Sequence, residues 1–505
     1  MRHSASFRTT LIRLATYLFL IFPALLKAQS KTTPKRFVTI DLVVQDSTML
    51  KDFYIQFEMC KNDVNTNYTL EKDIYTFKII NKETRITVPI STKINYGKIK
   101  RYHDNGITKE KLMENGAPIY IFEQGDHIKL YITKKTLAFE GKKAEKYNCI
   151  QSINSSPRFD RSQYISFETQ KKYEEMFGEW KKQQDSAFNA KKDILKRYKP
   201  KLSPEIYNLI LADCQGYYYA RLLGQLNNNF NTDEKRKKTS FKTYNKWFES
   251  MDLLDLDEKA LVKSYRFCDF LFHKESFEAS FIARHNSGQK KIPYTFQQIY
   301  NSIQKNHAGI IRDKVTLLAF YYAIVHKNGK SYLDTAHKSM GNNIFKTSIA
   351  NLINNYSGSI YEYELFDQYG KLRKLSEFKD KLIVLDFWFT GCLGCISLAK
   401  ELKPIMRSYQ GNKDVEFISI SIDPKKEMWL KSVNDETYSH KDQVNLYTNG
   451  QSSQHPIIKN YSLSGYPTLF LISKKGKIIT TAMPRPIQGR PETVENFKNM
   501  IDKNL

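Results

Sequence analysis

The feature that most constrains this chain is an apolar run, residues 381–389 (KLIVLDFWF), followed at once by Cys392 and Cys395 in a C-x-x-C spacing. The run is typical of a buried strand, and a helical pattern follows it. A cysteine at a helix N-terminus faces unpaired backbone N–H groups and the positive end of the dipole, which favour the thiolate. The second cysteine lies one turn further along, so the pair can form and break a disulfide by thiolate exchange.

Other interpretations of the C-x-x-C pair have weaker support in the sequence. A zinc site takes four ligands, whereas the remaining four cysteines are isolated and no histidine lies near the pair. Attachment of c-type haem requires histidine directly after the second cysteine, where Ile396 stands. A structural disulfide stays open, although the strand–Cys–helix context favours catalysis. We therefore predict no metal and no cofactor beyond the redox-active disulfide Cys392–Cys395.

The sequence around the pair alternates strand and helix patterns from about residue 355 to residue 505. Two further apolar runs, residues 414–423 (DVEFISISID) and 467–473 (PTLFLIS), have the character of buried strands, and residues 490–505 have helical spacing. This alternation predicts an α/β domain with a partly parallel sheet that is covered on both faces.

Residues 355–505 resemble the thioredoxin fold in its exported form, the thiol–disulfide oxidoreductases of the TlpA/ResA type. Three separated signals carry the resemblance: Asp386-Phe387-Trp388 ahead of the first cysteine, the C-x-x-C pair, and Gly465-Tyr466-Pro467-Thr468 before the strand LFLIS. The upstream organisation is similar to that of multidomain bacterial members. The resemblance implies a thiol–disulfide oxidoreductase, with the reductase direction favoured.

The resemblance also implies roles for individual residues. Cys392 would be the attacking nucleophile and Cys395 the resolving thiol. Pro467 would be a cis-proline against the pair and, with Tyr466, would bind substrate; an ordinary turn proline is the alternative. Trp388 would pack beneath the active site.

Asp386 is predicted to lie within a buried strand. Desolvation of its carboxyl group would raise its pKa, so that it could relay a proton to or from Cys395. The alternative is a carboxylate that only accepts hydrogen bonds from buried donors.

The chain departs from the family pattern close to the cysteines. Gly391 stands where thioredoxin has tryptophan, and Leu393-Gly394 stands where Gly-Pro is common. ResA-type members carry a glutamate three residues after the second cysteine, and here that position is Leu398. These residues tune the potential of the pair, so the resemblance favours the reductase direction but does not establish it.

Two regions precede this domain. Residues 30–155 hold short β-branched and aromatic runs and predict an all-β, sandwich-like domain, in which residues 119–132 form a hairpin around Gln-Gly-Asp. Residues 160–350 show helical spacing and predict an all-α domain, with one helix starting at Ser203-Pro204. The fold class is therefore multidomain, all-β, then all-α, then α/β.

The N-terminus predicts export. Residues 1–13 are basic, residues 14–26 form an apolar run too short to span a bilayer, and Ala28 precedes the expected cleavage point. Residues 1–28 are thus interpreted as a signal peptide, with an uncleaved anchor as the alternative. The expected location is the periplasm or cell envelope, and the expected partners are cysteine-containing exported proteins and a membrane-bound electron donor or acceptor.

The formal charge of +26 lies mostly in the N-terminal two-thirds of the chain. An exported chain without a recognition motif is a poor fit to nucleic-acid binding. Two alternative functions remain. A peroxiredoxin-like thiol peroxidase would need threonine three residues before the first cysteine, where Phe389 stands. An envelope-binding protein would use residues 29–355 and keep the C-terminal domain as a redox-sensitive clamp.

Overall fold

The computed structural model describes fourteen stretches of the chain, and the predicted signal peptide lies outside them. These stretches are residues 36–60, 72–104, 109–111, 118–155, 162–229, 234–248, 251, 256–287, 295–327, 329–441, 443–461, 463, 465–481 and 483–505. Among these residues, no helix combines the length and the apolar character that crossing a membrane requires.

Strands are confined to the two ends of the described chain. They are β1 (Arg36–Val44), β2 (Phe53–Cys60), β3 (Lys72–Ile79), β4 (Glu83–Ile90), β5 (Ile94–Asp104), β6 (Lys109–Lys111), β7 (Ile119–Glu123), β8 (His127–Ile132), β9 (Leu137–Glu140), β10 (Glu364–Asp367), β11 (Leu372–Lys374), β12 (Leu382–Trp388), β13 (Val415–Ser421), β14 (Val444–Tyr447), β15 (Thr468–Ile472) and β16 (Ile478–Thr480).

Helices fill the middle of the chain and flank the C-terminal strands. They are α1 (Glu145–Asn154), α2 (Ser162–Thr169), α3 (Tyr173–Tyr198), α4 (Pro204–Asn229), α5 (Glu234–Phe248), α6 (Glu258–Lys263), α7 (Phe267–Ser287), α8 (Phe296–Asn306), α9 (Gly309–Lys327), α10 (Leu333–Ser339), α11 (Asn343–Ser357), α12 (Leu393–Ser408), α13 (Lys426–Asn434), α14 (Pro456–Asn460) and α15 (Pro491–Asp502). The predicted order of a strand-rich region, a helical region and an α/β region is confirmed.

The N-terminal strands form two sheets, in the orders β4-β1-β8-β9 and β3-β2-β5-β6, with β7 also paired to β5. Alternate residues of each strand turn inward, so Ile40 of one sheet and Phe57 of the other belong to one buried core. Helix α1 packs on this core through Tyr147, whose ring stacks on Phe139. The helix lies inside the range that the sequence analysis assigned to strands.

The predicted hairpin over residues 119–132 is wrong. Both strands exist, but β7 pairs with β5 in one sheet, whereas β8 pairs with β1 and β9 in the other. Gly125 has φ of +78°, and the turn carries the chain from one sheet to the other. The alternating pattern of a strand records which face is buried, and it does not record which neighbour the strand pairs with.

Helix α4 begins where the sequence predicted a helix start. Ser203 Oγ accepts a hydrogen bond from Ile206 N at 3.3 Å, ahead of the helix that starts at Pro204. Gly216 lies where α4 crosses α7, and a Cβ atom there would be 2.6 Å from the backbone of Arg266 and Phe267. The absence of a side chain at Gly216 therefore permits the two helices to approach.

The C-terminal strands form one sheet in the order β11-β10-β14-β13-β12-β15-β16. The pairs β12·β13 and β13·β14 are parallel, whereas β12·β15 is antiparallel, so the predicted partly parallel sheet is confirmed. One face is covered by α12 and α15. The other is covered by α14 and by α11, which contributes Phe345, Ile349 and Tyr356 to the core of Leu385. The last helix of the middle region is thus one layer of the α/β fold.

We expect Gly216→Ala to lower the free energy of unfolding by about 1–3 kcal/mol, because the new methyl group meets backbone atoms that cannot move aside. Gly224→Ala in the same helix is the matched control, since a Cβ there meets nothing within 4 Å. The control should be neutral or stabilising by up to about 1 kcal/mol. Denaturant titration of both variants measures this, and equal effects would contradict the close approach.

Candidate active site

Strand β12 leads into the short loop that carries the first cysteine of the pair. All seven of its residues are buried, and α12 begins five residues after it ends. Cys392 is the N-cap of α12, and its Sγ accepts a hydrogen bond from Cys395 N at 3.1 Å. The two cysteines form a disulfide, with 7% of Cys392 and 1% of Cys395 exposed. The helix starts at Leu393, directly after the first cysteine.

A buried carboxylate holds the loop in front of the pair. Asp423 follows β13, and its two carboxylate oxygens accept hydrogen bonds from Thr390 N and Thr390 Oγ1, each at 2.8 Å. Ser421 Oγ donates to the same carboxylate at 3.0 Å. Because β12 and β13 are parallel, their carboxyl ends meet at one edge of the sheet, and this places Asp423 beside the loop.

Trp388 and Tyr438 form an aromatic stack that packs in one buried cluster with the cysteine pair. The Trp388 indole is fully buried, donates to Ser419 Oγ, and stacks on Tyr438 with ring centroids 5.1 Å apart. Tyr438 Oη also accepts a hydrogen bond from Gly391 N at 2.8 Å. Gly391 has φ of +101°, a conformation that favours glycine, so the position that is tryptophan in thioredoxin serves here as a turn.

Pro467 lies directly against the helix of the cysteine pair. The Tyr466–Pro467 peptide bond is cis. A Cβ atom built on Gly394 would be 3.2 Å from Pro467 Cδ, which accounts for glycine at that position. Tyr466 packs edge-on against Phe389 with ring centroids 5.6 Å apart. The structure therefore gathers Pro467 and Tyr466 beside Cys392 and Cys395.

Asp386 lies on the α12 side of the sheet, because Val384, two residues earlier, belongs to the core that α12 and α15 cover. Its Oδ1 atom has no hydrogen-bond partner among the described residues, and the side chain is almost wholly buried. Burial raises the pKa of this carboxyl to about 7, and the positive charge of Arg485 opposes the shift. The alternative of a carboxylate satisfied by several donors does not describe Oδ1, which accepts no hydrogen bond from the described residues.

Three of the other four cysteines are buried and are poor nucleophiles. Burial raises the pKa of Cys149 and Cys214 to about 12 and that of Cys268 to about 11, so their thiols stay protonated at neutral pH. Cys60 is partly exposed and is not in a disulfide. Within the described stretches, no cluster of three or more His, Cys, Asp or Glu side chains is arranged to hold a metal ion.

Sequence reasoning missed three residues of this site, Asp423, Tyr438 and Arg485. A signal existed for Asp423, since it ends the apolar run after β12, and parallel neighbouring strands bring such residues to one edge. Tyr438 and Arg485 lie in irregular segments, and only tertiary structure brings them to the pair.

The fold and the site together define a thioredoxin-like domain with a disulfide-bonded cysteine pair at a helix N-terminus. A family model described as thioredoxin-like matches residues 380–478. The thiol-disulfide oxidoreductases ResA of Bacillus thuringiensis and Bacillus cereus are each 33% identical over 137 residues, 27% of this chain and 71% of the relative. The chain belongs to this family of thiol–disulfide oxidoreductases.

A solved structure of a thiol-disulfide oxidoreductase from Bacteroides fragilis was also matched. It is 24% identical and covers 29% of this chain and 100% of that chain, with a TM-score of 0.25. The matches with the two ResA proteins and with the Bacteroides structure each cover less than a third of the chain.

We expect Asp386→Asn to change how stability depends on pH. The pKa of this carboxyl is higher in the folded state than the ordinary 3.8, so its stabilising proton is lost as pH rises toward about 7. The unfolding free energy of the variant, relative to the wild type, should therefore increase between pH 4 and pH 8 by on the order of 1 kcal/mol or more.

Denaturant titrations of the oxidised proteins at pH 4, 6 and 8 measure this difference. Asp435→Asn is the matched control, because Asp435 is exposed in the same domain and loses little solvation on folding. A constant difference between Asp386→Asn and wild type across this pH range would contradict the raised pKa.

Proposed function

We propose that this protein is an exported disulfide reductase that acts on protein cysteines through Cys392 and Cys395. The observation that carries the proposal is the placement of Cys392 as the N-cap of α12, with Pro467 packed against Gly394 of the same helix. The N-cap position stabilises a thiolate through the helix dipole and the N–H of Cys395. Pro467 and Tyr466 border the surface from which a substrate would approach.

The proposed reaction transfers two electrons from the cysteine pair to a substrate disulfide. The Cys392 thiolate attacks one substrate sulfur, the substrate S–S bond breaks, and the other substrate sulfur leaves as a thiolate. Cys395 then gives its proton to Asp386, and the new thiolate attacks the Cys392 sulfur. This step forms the Cys392–Cys395 disulfide and releases the second substrate thiolate.

Asp386 is suited to receive that proton near neutral pH. Its pKa of about 7 leaves a substantial fraction as carboxylate, and its burial excludes competing water. Leu398 stands where the family carries glutamate, so this position supplies no acidic side chain besides Asp386. Asp386 is therefore the proton acceptor in the proposed mechanism.

The proposed location is the periplasm or cell envelope, on the basis of the basic and apolar pattern of residues 1–28. Substrates would be cysteine-containing exported proteins, and a membrane-bound partner would supply electrons to the oxidised pair. No cofactor beyond the disulfide enters the proposal. Recovery of the protein in the cytoplasmic fraction of its host would contradict the export assignment.

Replacement of Cys392 by Ser should abolish reduction of a fluorescent disulfide-bonded peptide, because the attacking thiolate is gone. Cys395→Ser should instead accumulate a mixed disulfide between Cys392 and the peptide, detectable by mass spectrometry under non-reducing conditions. Cys60→Ser is the control and should retain activity, since Cys60 lies in the N-terminal sandwich. Activity that survives Cys392→Ser would refute the assignment.

The direction of exchange should appear in the reduction potential of the Cys392–Cys395 pair. We expect a value near that of thioredoxin, about −270 mV, on titration of the protein against glutathione. A value near about −120 mV would make the protein a disulfide donor and would refute the reductase proposal. Hydrogen peroxide consumption, measured alongside, tests the peroxidase alternative, for which Phe389 supplies no hydroxyl group.

A further inference from the structure

Arg485 lies in the loop between β16 and α15, outside every motif that the sequence analysis identified. Its Nη2 atom donates a hydrogen bond to the carbonyl oxygen of Pro467 at 2.5 Å. The residue is exposed overall, so its side chain reaches from the surface to the loop that borders the cysteine pair. The arginine thus ties the last loop of the domain to the loop that carries Pro467.

The positive charge of the same guanidinium group also lowers the pKa of Asp386. Across β12, the neighbours of Asp386 are Ser419 on β13 and Leu469 on β15, neither of which carries charge. Helix α12 contributes Cys395, which titrates only when the disulfide is reduced. Among the described residues, Arg485 is the charge that lowers the pKa of Asp386 against the effect of burial.

We propose that Arg485 is a positioning residue for thiol–disulfide exchange, which holds the Pro467 loop and keeps Asp386 available as a carboxylate for the proton of Cys395. The inference rests on the proposed function, because it assigns Asp386 the role of proton acceptor. A buried carboxylate without a hydrogen bond to its Oδ1 atom depends on a nearby positive charge. Since the guanidinium is bonded to the Pro467 carbonyl, the loop that faces substrate also determines where that charge lies.

The test compares Arg485→Gln with Arg485→Lys in the full chain. The carboxyl carbon of Asp386 is followed by NMR from pH 4 to pH 9 in the oxidised protein, with Asp386→Asn for assignment. Loss of the positive charge in Arg485→Gln should move the titration midpoint upward by about half a unit to one unit. Arg485→Lys keeps the charge and should recover most of the shift.

Exchange with the disulfide-bonded peptide is measured on the same variants across the same pH range. In Arg485→Gln the pH of half-maximal resolution of the mixed disulfide should move upward with the Asp386 midpoint. Arg490→Gln is the matched control, since it removes one positive charge from the exposed end of the same loop. Both midpoints should stay unchanged in the control.

The outcomes separate this inference from the proposed function. An unchanged Asp386 midpoint in Arg485→Gln overturns the inference, and so does a rate that falls equally at every pH without a shift. If the midpoint shifts but wild-type protein shows no exchange, the proposed function fails, and the catalytic part of the inference fails with it. A joint shift of titration and exchange supports both.

Discussion

The structure depends on the burial of one strand, Leu382–Trp388, between two layers of helices. Residues of alternating parity enter different cores: Val384 faces α12 and α15, whereas Leu385 faces α11 and α14. The strand is paired on both edges, so its backbone groups are satisfied without solvent. Its fixed position sets where the chain emerges, and the cysteine pair stands at that end.

Polar contacts hold the loop between β12 and α12 in place, which apolar burial does not do. Apolar packing has no direction, so it cannot alone orient the short segment between the strand and α12. Asp423 accepts hydrogen bonds from Thr390, and Tyr438 accepts one from the N–H of Gly391. Both acceptors lie outside β12. The loop is therefore held by the edge of a parallel sheet and by an aromatic stack, and the cysteine pair lies at the N-terminus of α12.

The helical middle of the chain packs directly against the C-terminal α/β domain. Helix α11 supplies a layer of the C-terminal fold, and its Tyr356 Oη donates to the Tyr461 carbonyl at 3.2 Å. At the other junction, Tyr96 of the sandwich donates to the buried Asp213 of α4 at 2.8 Å. Both junctions bury aromatic side chains, so described residues of the helical region share a core with the N-terminal sheets and another with the C-terminal sheet.

The sequence by itself determined the order of the three regions, the strand before Cys392, the helix after it and the burial of Asp386. These depend on local periodicity and on the chemistry of adjacent residues, both of which are visible in a short stretch of sequence. Tertiary structure alone decided that β7 and β8 join different sheets, that Gly394 makes room for Pro467, and that Arg485 donates a hydrogen bond to the Pro467 carbonyl. Such relations depend on contacts between distant segments, and hydrophobic periodicity shows which face of a segment is buried without showing which partner covers it.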